Sequence, residues 1–437
     1  MIEKPGSAIT ADRATEARRV AVAGAIGTTI EWYDFFIYGT AAAVVFAPQF
    51  FPQVSRFAGT LAAFATFAVG FVARPLGGIV MGHFGDRLGR KSALVWCLML
   101  MGLSTFAIGL LPNYARSGVW APVLLVACRF IQGFALGGEW GGAVLMSVEH
   151  APQGRRGLFG SFVALGLPAG IILSNLVFLI ASSVVTPEQF AAWAWRIPFL
   201  ASGVLVAVGL FVRLGLAESP VFAEVLRART ARRLPVLDVL RSDARTVLLA
   251  AGSYLAISAL GYIVIVYFVS YATRELHFPL TTTLALLLTA AVVFAGSIPI
   301  FAIWSDRFGR RRIMQWGSGV LVLWSLIFFP LIDTRSVPLA ALSLCGMLLV
   351  QGAYIGPQAA VFAELFPANL RYSGASLSLT LGTIFGGAIA PFIATALFGA
   401  TGNSWPVTVY LATLSVISWL CVLGLKETYQ RDLPSVR

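Results

Sequence analysis

The sequence predicts an all-α membrane protein, with twelve transmembrane helices in two pseudo-symmetric six-helix bundles. Three observations predict it. Apolar residues make up 58% of the 437-residue chain and charged ones only 11%, with a mean hydropathy of +0.84, whereas a soluble domain carries about 25% charged residues. The apolar residues gather into twelve runs of roughly the 20 residues that cross a bilayer. Polar signals in the first half recur in the second at a nearly constant offset. So few charges cannot clothe a water-facing surface, which excludes the two or three soluble domains that length alone suggests.

The runs are 20–46, 57–82, 92–111, 120–148, 158–182 and 193–214, then 245–273, 279–304, 313–332, 338–363, 373–398 and 405–425. They divide the chain into a tail (1–19), a first bundle (20–214), a charged, Pro-punctuated linker (215–244), a second bundle (245–425) and a second tail (426–437). The first tail has no apolar core followed by small residues, so the first run is expected to insert as an uncleaved anchor. Twelve crossings return the chain to its starting side. The tails, the even-numbered gaps and the run ends bordering them (Arg213, Arg245) hold 24 Lys and Arg, the odd-numbered gaps only Arg56, Arg116, Arg274 and Arg335. That asymmetry places both termini in the cytoplasm. The net charge of +12 is therefore a topology signal, and nucleic acid is not an expected partner.

Cys97, Cys128, Cys345 and Cys421 all lie inside apolar runs, and His83, His150 and His277 at run ends. Neither set has ligand or disulfide spacing, so no metal, no other cofactor and no enzymatic centre is expected.

The halves read as copies. Asp86-Arg87…Gly89-Arg90 recurs as Asp306-Arg307…Gly309-Arg310 at an offset of 220, and Gln132-Gly133 as Gln351-Gly352 at 219. Glu149…Pro152…Arg156 recurs as Glu364…Pro367…Arg371 at 215. Parallel six-helix repeats put a substrate site near the midplane, between the halves, which is a transporter's architecture. The turn Gly82-His-Phe-Gly-Asp-Arg-Leu-Gly-Arg-Lys91 is not a phosphate-binding P-loop: its Gly/Lys spacing is wrong and no strand precedes it. Its glycines are expected to make a tight cytoplasmic turn.

That turn resembles the loop between the second and third helices of the major facilitator superfamily. Glu31-Trp-Tyr-Asp-Phe35, Phe71-Val-Ala-Arg-Pro-Leu-Gly-Gly78 and Arg129-Phe-Ile-Gln-Gly-Phe-Ala-Leu-Gly-Gly-Glu-Trp-Gly-Gly142 narrow the match. So do Trp195-Arg-Ile-Pro-Phe199, Glu218-Ser-Pro-Val-Phe222, Glu364-Leu-Phe-Pro367 and Arg371-Tyr-Ser-Gly374. Together they resemble the metabolite:proton symporter family, with its α-ketoglutarate, citrate, shikimate and proline/betaine permeases, over nearly the whole chain. The resemblance implies the major facilitator fold and proton-coupled uptake of a small organic acid by alternating access, in a bacterial inner membrane, by a monomer. A zwitterionic osmolyte such as betaine or proline is the alternative substrate. No heptad-bearing extension follows the last run, so osmosensing of the proline/betaine type is not expected. Gly166-Leu-Pro-Ala-Gly170 departs from the Gly-rich antiporter signature, which favours symport. The resemblance also implies that Asp86 faces a helix N-terminus of the other half, where a carboxylate is favoured, latching the cytoplasmic gate in the outward-open state. Gly85, Arg87, Gly89 and Arg90 serve that gate, and Asp306, Arg307 and Arg310 a weaker copy.

Charges inside a bilayer are costly and survive mainly where they work. Six stand out: Glu31, Asp34, Arg74, Arg129, Glu139 and Arg196. The i,i+3 spacing of Glu31 and Asp34 puts them on one helix face, in a stripe with Thr28 and Tyr38. Two nearby carboxylates in low dielectric do not readily both ionise, so this pair is the expected proton carrier. In the superfamily the first and fourth helices line the cavity. Arg129 is therefore expected to pair with Asp34 or Glu31 in one state and, through its fork, with a substrate carboxylate in another. A permanent structural ion pair is the bland alternative. Gln132 is its hydrogen-bonding neighbour. Glu139 either passes a proton inward or holds Arg74 in a structural pair, and Arg196 is expected to anchor a helix end. The second half has Leu348 where Arg129 aligns, so it is expected to shape the pocket with Tyr254, Tyr267 and Gln358 and, touching substrate, Gln351, Tyr354 and Tyr262. With Arg129, Tyr38 and Gln132 these last three make the expected substrate contacts, against the alternative that the tyrosines only pack.

Overall fold

The computed structural model describes residues 6–88, 90–137, 147–148, 151, 154–214, 239, 241–367 and 370–429, apart from the side chains of 6–21, 79, 82–91, 93–94, 212–214 and 372. Twelve helices cross in succession. The first six are α1 (Gly6–Val44), α2 (Arg56–Leu88), α3 (Arg90–Leu110), α4 (Trp120–Leu136), α5 (Arg156–Ala164 joined at Leu165 to Gly166–Val184) and α6 (Ile197–Leu214). The second six are α7 (Ala244–Tyr262, a π-helical turn Ile263–Tyr267, then Phe268–Arg274), α8 (Leu280–Phe308), α9 (Arg310–Asp333), α10 (Val337–Leu365), α11 (Arg371–Gly382, a π-helical turn Thr383–Ala388, then Ala390–Thr401) and α12 (Trp405–Gly424). Lipid offers no partner for a free N–H, so a spanning backbone satisfies itself by helix. Nine of these helices are long and apolar enough to cross by the described residues alone, and α3 and α4 add the shorter apolar stretches Val95–Leu110 and Trp120–Leu136. Outward faces carry Phe211, Trp316, Val204 and Leu248 exposed, as lipid requires.

Packing repeats with the sequence. α1 packs on α5 and α6, α2 on α4, and α3 on α4 and α6; six helices later, α7 packs on α11 and α12, α8 on α10, and α9 on α10 and α12. The Gln-Gly markers explain part of this. A Cβ on Gly133 would stand 1.8 Å from the Gly70 carbonyl oxygen, and one on Gly352 2.0 Å from Ser297 Oγ. Glycine is what lets α4 close on α2 and α10 close on α8. The halves meet where α5 lies against α8 and α10, α2 against α11, and α1 against α7.

α1 begins at Gly6, so it takes in residues 6–19 of the first tail. One expectation is corrected: the turn after α2 is shorter than its glycines suggest. α2 stays helical to Leu88, so Gly82 and Gly85 lie in the helix, and α3 starts at Arg90. In the second copy the whole turn is Gly309, at φ 98°, which a residue with a Cβ rarely adopts.

Candidate functional site

The polar stripe of α1 is buried throughout, but its members face different surroundings. Glu31 lines a cleft between the halves, with Trp32, Arg74 and Tyr254 and, from α11, Ser376, Thr380 and Thr383. A second cleft shares Trp32 and Tyr254 with the first and is lined by Thr28 and Gln358. These residues lie between the middle of their spans and the face that carries both termini. Two polar atoms around the clefts, Arg74 Nε and Ser376 Oγ, are buried without a hydrogen-bond partner.

Asp34 faces into the first half instead, beside Thr105 of α3. Neither carboxylate oxygen has a hydrogen bond, because the Thr105 hydroxyl donates to the Met101 carbonyl at 2.9 Å. Thr105 Oγ1 accepts from Gln132 Nε2 at 2.7 Å, and Gln132 Oε1 accepts from Arg129 Nη1 at 3.2 Å. Arg129 Nε donates to the Phe67 carbonyl at 3.4 Å. Its guanidinium stands 4.2, 4.3 and 4.7 Å from the ring centres of Phe35, Tyr38 and Phe67, a cation–π cage that offsets part of the cost of burial. No ion pair joins Arg129 to Asp34; Thr105 and Gln132 stand between them.

Phe35 has a guanidinium near its ring twice over, Arg129 at 4.2 Å and Arg74 at 5.2 Å. Phe35, Phe67 and Phe71 also meet Tyr262 of the second half, with ring centres 5.3 to 5.7 Å apart. This aromatic cluster stands between Arg129 and the cleft that Arg74 lines.

None of the six expected substrate contacts therefore lines either cleft in this conformation. Tyr38 donates to Thr66 at 2.7 Å, and the Tyr354 hydroxyl bonds Ser253 at 2.6 Å. Gln132 is held between Thr105 and Arg129, Arg129 and Tyr262 belong to the aromatic cluster, and Gln351 is buried with Nε2 unpartnered. Arg196 donates to the carbonyls of Gly109 and Leu111 at 2.9 and 2.6 Å, closing the end of α3. Glu139 lies outside the described residues. What the sequence reading missed is Arg74 as a cleft residue, Trp32, and the α11 stripe. The stripe did leave a signal: Ser376, Thr380 and Thr383 recur at i, i+4 and i+7 on one helix face.

Contacts join the halves at both ends. On the termini-bearing face, Asp306 accepts the backbone N–H groups of Gly157 and Leu158. Arg310 pairs with Asp306 at 3.4 Å and with Glu364 at 2.7 Å, and Glu364 reaches Arg156 of the first half at 3.8 Å. Arg307 is exposed. Gly89, and the side chains of Asp86, Arg87 and Arg90, lie outside the described residues. On the opposite face, Arg274 at the end of α7 donates to Thr60 Oγ1 of α2 and, at 2.8 Å, to the Ala43 carbonyl of α1.

A family model described as Major Facilitator Superfamily matches residues 24–383. The chain belongs to that superfamily. Among curated proteins it is 43% identical to the inner membrane metabolite transport protein YhjE of Escherichia coli, and 41% identical to the shikimate transporter of Escherichia coli, each over 95% of both chains. The proline/betaine transporter of Escherichia coli is 30% identical, over 95% of this chain and 85% of its own. These relatives fit the metabolite:proton symporter family within the superfamily. The solved structure of a D-xylose-proton symporter superposes with a TM-score of 0.75 at 17% identity, covering 95% of this chain and 99% of that one. The twelve-helix major facilitator fold follows from these. The protein is a multi-pass membrane transporter of a small molecule and not an enzyme.

Proposed function

We propose that this transporter takes up a small organic acid together with a proton, by alternating access, across the cell inner membrane with both termini in the cytoplasm. One observation carries the reading: Arg74 lines the cleft between the halves with its Nε buried and unpartnered. A guanidinium so placed offers forked donors to a carboxylate. Asp34 carries the proton. A buried carboxylate without a partner is costly when charged, and a proton removes that cost. Thr105 and Gln132 link Asp34 to Arg129, and Phe35 lies between Arg129 and Arg74, so a shift at the carboxylate is felt at the cleft. The basic-residue asymmetry supports the orientation. With Arg274 joining the halves on the far face, and Asp306 and the Arg310–Glu364–Arg156 group joining them on the termini-bearing face, the conformation corresponds to an occluded one whose clefts lie towards the termini.

The second reading, a zwitterionic osmolyte, is favoured by the proline/betaine relative alone. Purified protein in proteoliposomes with an inside-alkaline pH gradient tests both. Labelled acid should accumulate above equilibrium, and a protonophore should collapse it. Uptake indifferent to the gradient removes the proton, and betaine uptake that no carboxylic acid competes with removes the acid.

A further inference from the structure

We propose that Trp32 and Tyr254 form an internal wall that sets the length of acid the transporter accepts; this rests on the organic-acid reading above. Both clefts touch Trp32 of α1 and Tyr254 of α7, and they run from that pair in different directions. The first continues toward α2, α4 and α11, and carries Glu31, Arg74 and the α11 hydroxyls. The second continues toward α5 and α10. Apart from Thr28 and Gln358 its other walls are apolar, made by Val163, Ala164, Leu167, Ile355 and Ala359. A charged compartment and an apolar one thus share two aromatic side chains, one from each half.

The repeat builds this wall twice. Trp32 and Tyr254 stand at an offset of 222, close to that of the Asp-Arg and Gln-Gly markers. Each is braced by a glycine of the helix packed beside it. A Cβ on Gly170 of α5 would stand 2.5 Å from Trp32 Cβ, and one on Gly382 of α11 3.0 Å from Tyr254 Cβ. The Trp32 ring stacks on Phe36 with centres 5.2 Å apart. The Tyr254 ring lies 6.2 Å from that of Tyr354, and the Gln358 side chain bonds its hydroxyl. Each ring is therefore held by its own half, and the wall parts when the halves do. In this conformation a carboxylate on Arg74 has the first cleft for its carbon skeleton. A longer chain would gain by entering the apolar second cleft, and the two rings stand in its way.

The test is calorimetric titration of the full chain in detergent micelles with the unbranched monocarboxylates from acetate to octanoate, protein-free micelles serving as the blank. In the unaltered protein, affinity should stop rising within the series, at the length the first cleft holds. In Trp32→Ala and in Tyr254→Ala it should go on rising, by about fourfold for each methylene that enters the second cleft. The two positions lie in different halves and make the same prediction, so misfolding of one variant leaves the other to decide. Ala164→Phe, which fills the second cleft, should abolish the gain of Trp32→Ala. A gain that survives Ala164→Phe is room left by the ring itself, and overturns the wall. So does a steady rise to octanoate in the unaltered protein, or a cut-off that both alanine variants keep. Alanine variants that melt as the unaltered protein does and bind no acid overturn it as well. In all these cases the unaltered protein binds acids and the organic-acid reading stands. Binding of no acid by the unaltered protein overturns both.

Discussion

Asp306 accepts the backbone N–H of Gly157 at 2.9 Å, across the boundary between the two halves. The first N–H groups of a helix have no partner within it, and its positive end favours a carboxylate. The start of α5 is thus completed by a side chain from α8, and the helix end itself becomes the latch. Asp306→Asn keeps the shape and removes the charge. Caps are worth about 0.5–2 kcal/mol, so the variant should move the balance between conformations several-fold and slow transport, with substrate affinity within about twofold. Distances between spin labels placed on the two halves at this face report the balance. An unchanged distribution, or a large loss of affinity, would contradict the latch.

Arg274 is the counterpart on the far face. Arg274→Ala removes the bonds to Thr60 and Ala43, and should raise access from that side. A cysteine placed at Val266, whose side chain packs against Gly39 of α1, should react faster with an impermeant maleimide in the Arg274→Ala background. Equal rates would show that the seal is made by apolar packing alone.

Asp34→Asn mimics the protonated acid permanently. Proton-driven accumulation should vanish while counterflow exchange of substrate continues. Accumulation that persists would move the proton site elsewhere, with Glu31 the first residue to examine. Thr105→Val should leave accumulation in place but slow it, because Gln132 loses its acceptor.

Gly133→Ala inserts a methyl group 1.8 Å from the Gly70 carbonyl, and Gly352→Ala one 2.0 Å from Ser297 Oγ. Overpacking of this kind costs about 1–3 kcal/mol. Both variants should melt several degrees lower than Gly296→Ala, whose added carbon meets nothing within 4 Å. Equal melting temperatures would mean that the helix pairs separate at no cost.

The spans, the repeat and the superfamily were legible because lipid leaves the chain few options. Apolar length gives the crossings, and two glycines at one offset give the tight helix pairs. The site was harder to read. Arg129 and Arg74 look alike in sequence, each an arginine inside an apolar run, and only tertiary packing separates them. Whether a guanidinium meets the cleft or a wall of rings depends on Tyr262, which arrives from the other half. Asp34 and Glu31 share a stripe by spacing, yet the line between the cleft and the first bundle's interior runs between them. The latch was legible as chemistry, a carboxylate for a helix end, and the structure describes it in the second copy.

The π-helical turns of α7 and α11 each store one residue more than an α-helical turn holds. Moving that bulge one place along would re-aim the residue it passes by about 100°, while the backbone stays hydrogen-bonded to itself in lipid. Tyr262 immediately precedes the first of these turns and Thr383 opens the second. The second half thus has a way to re-aim Thr383 in the cleft wall and Tyr262 in the aromatic cluster beside it. Substrate release by that route needs no helix to unwind.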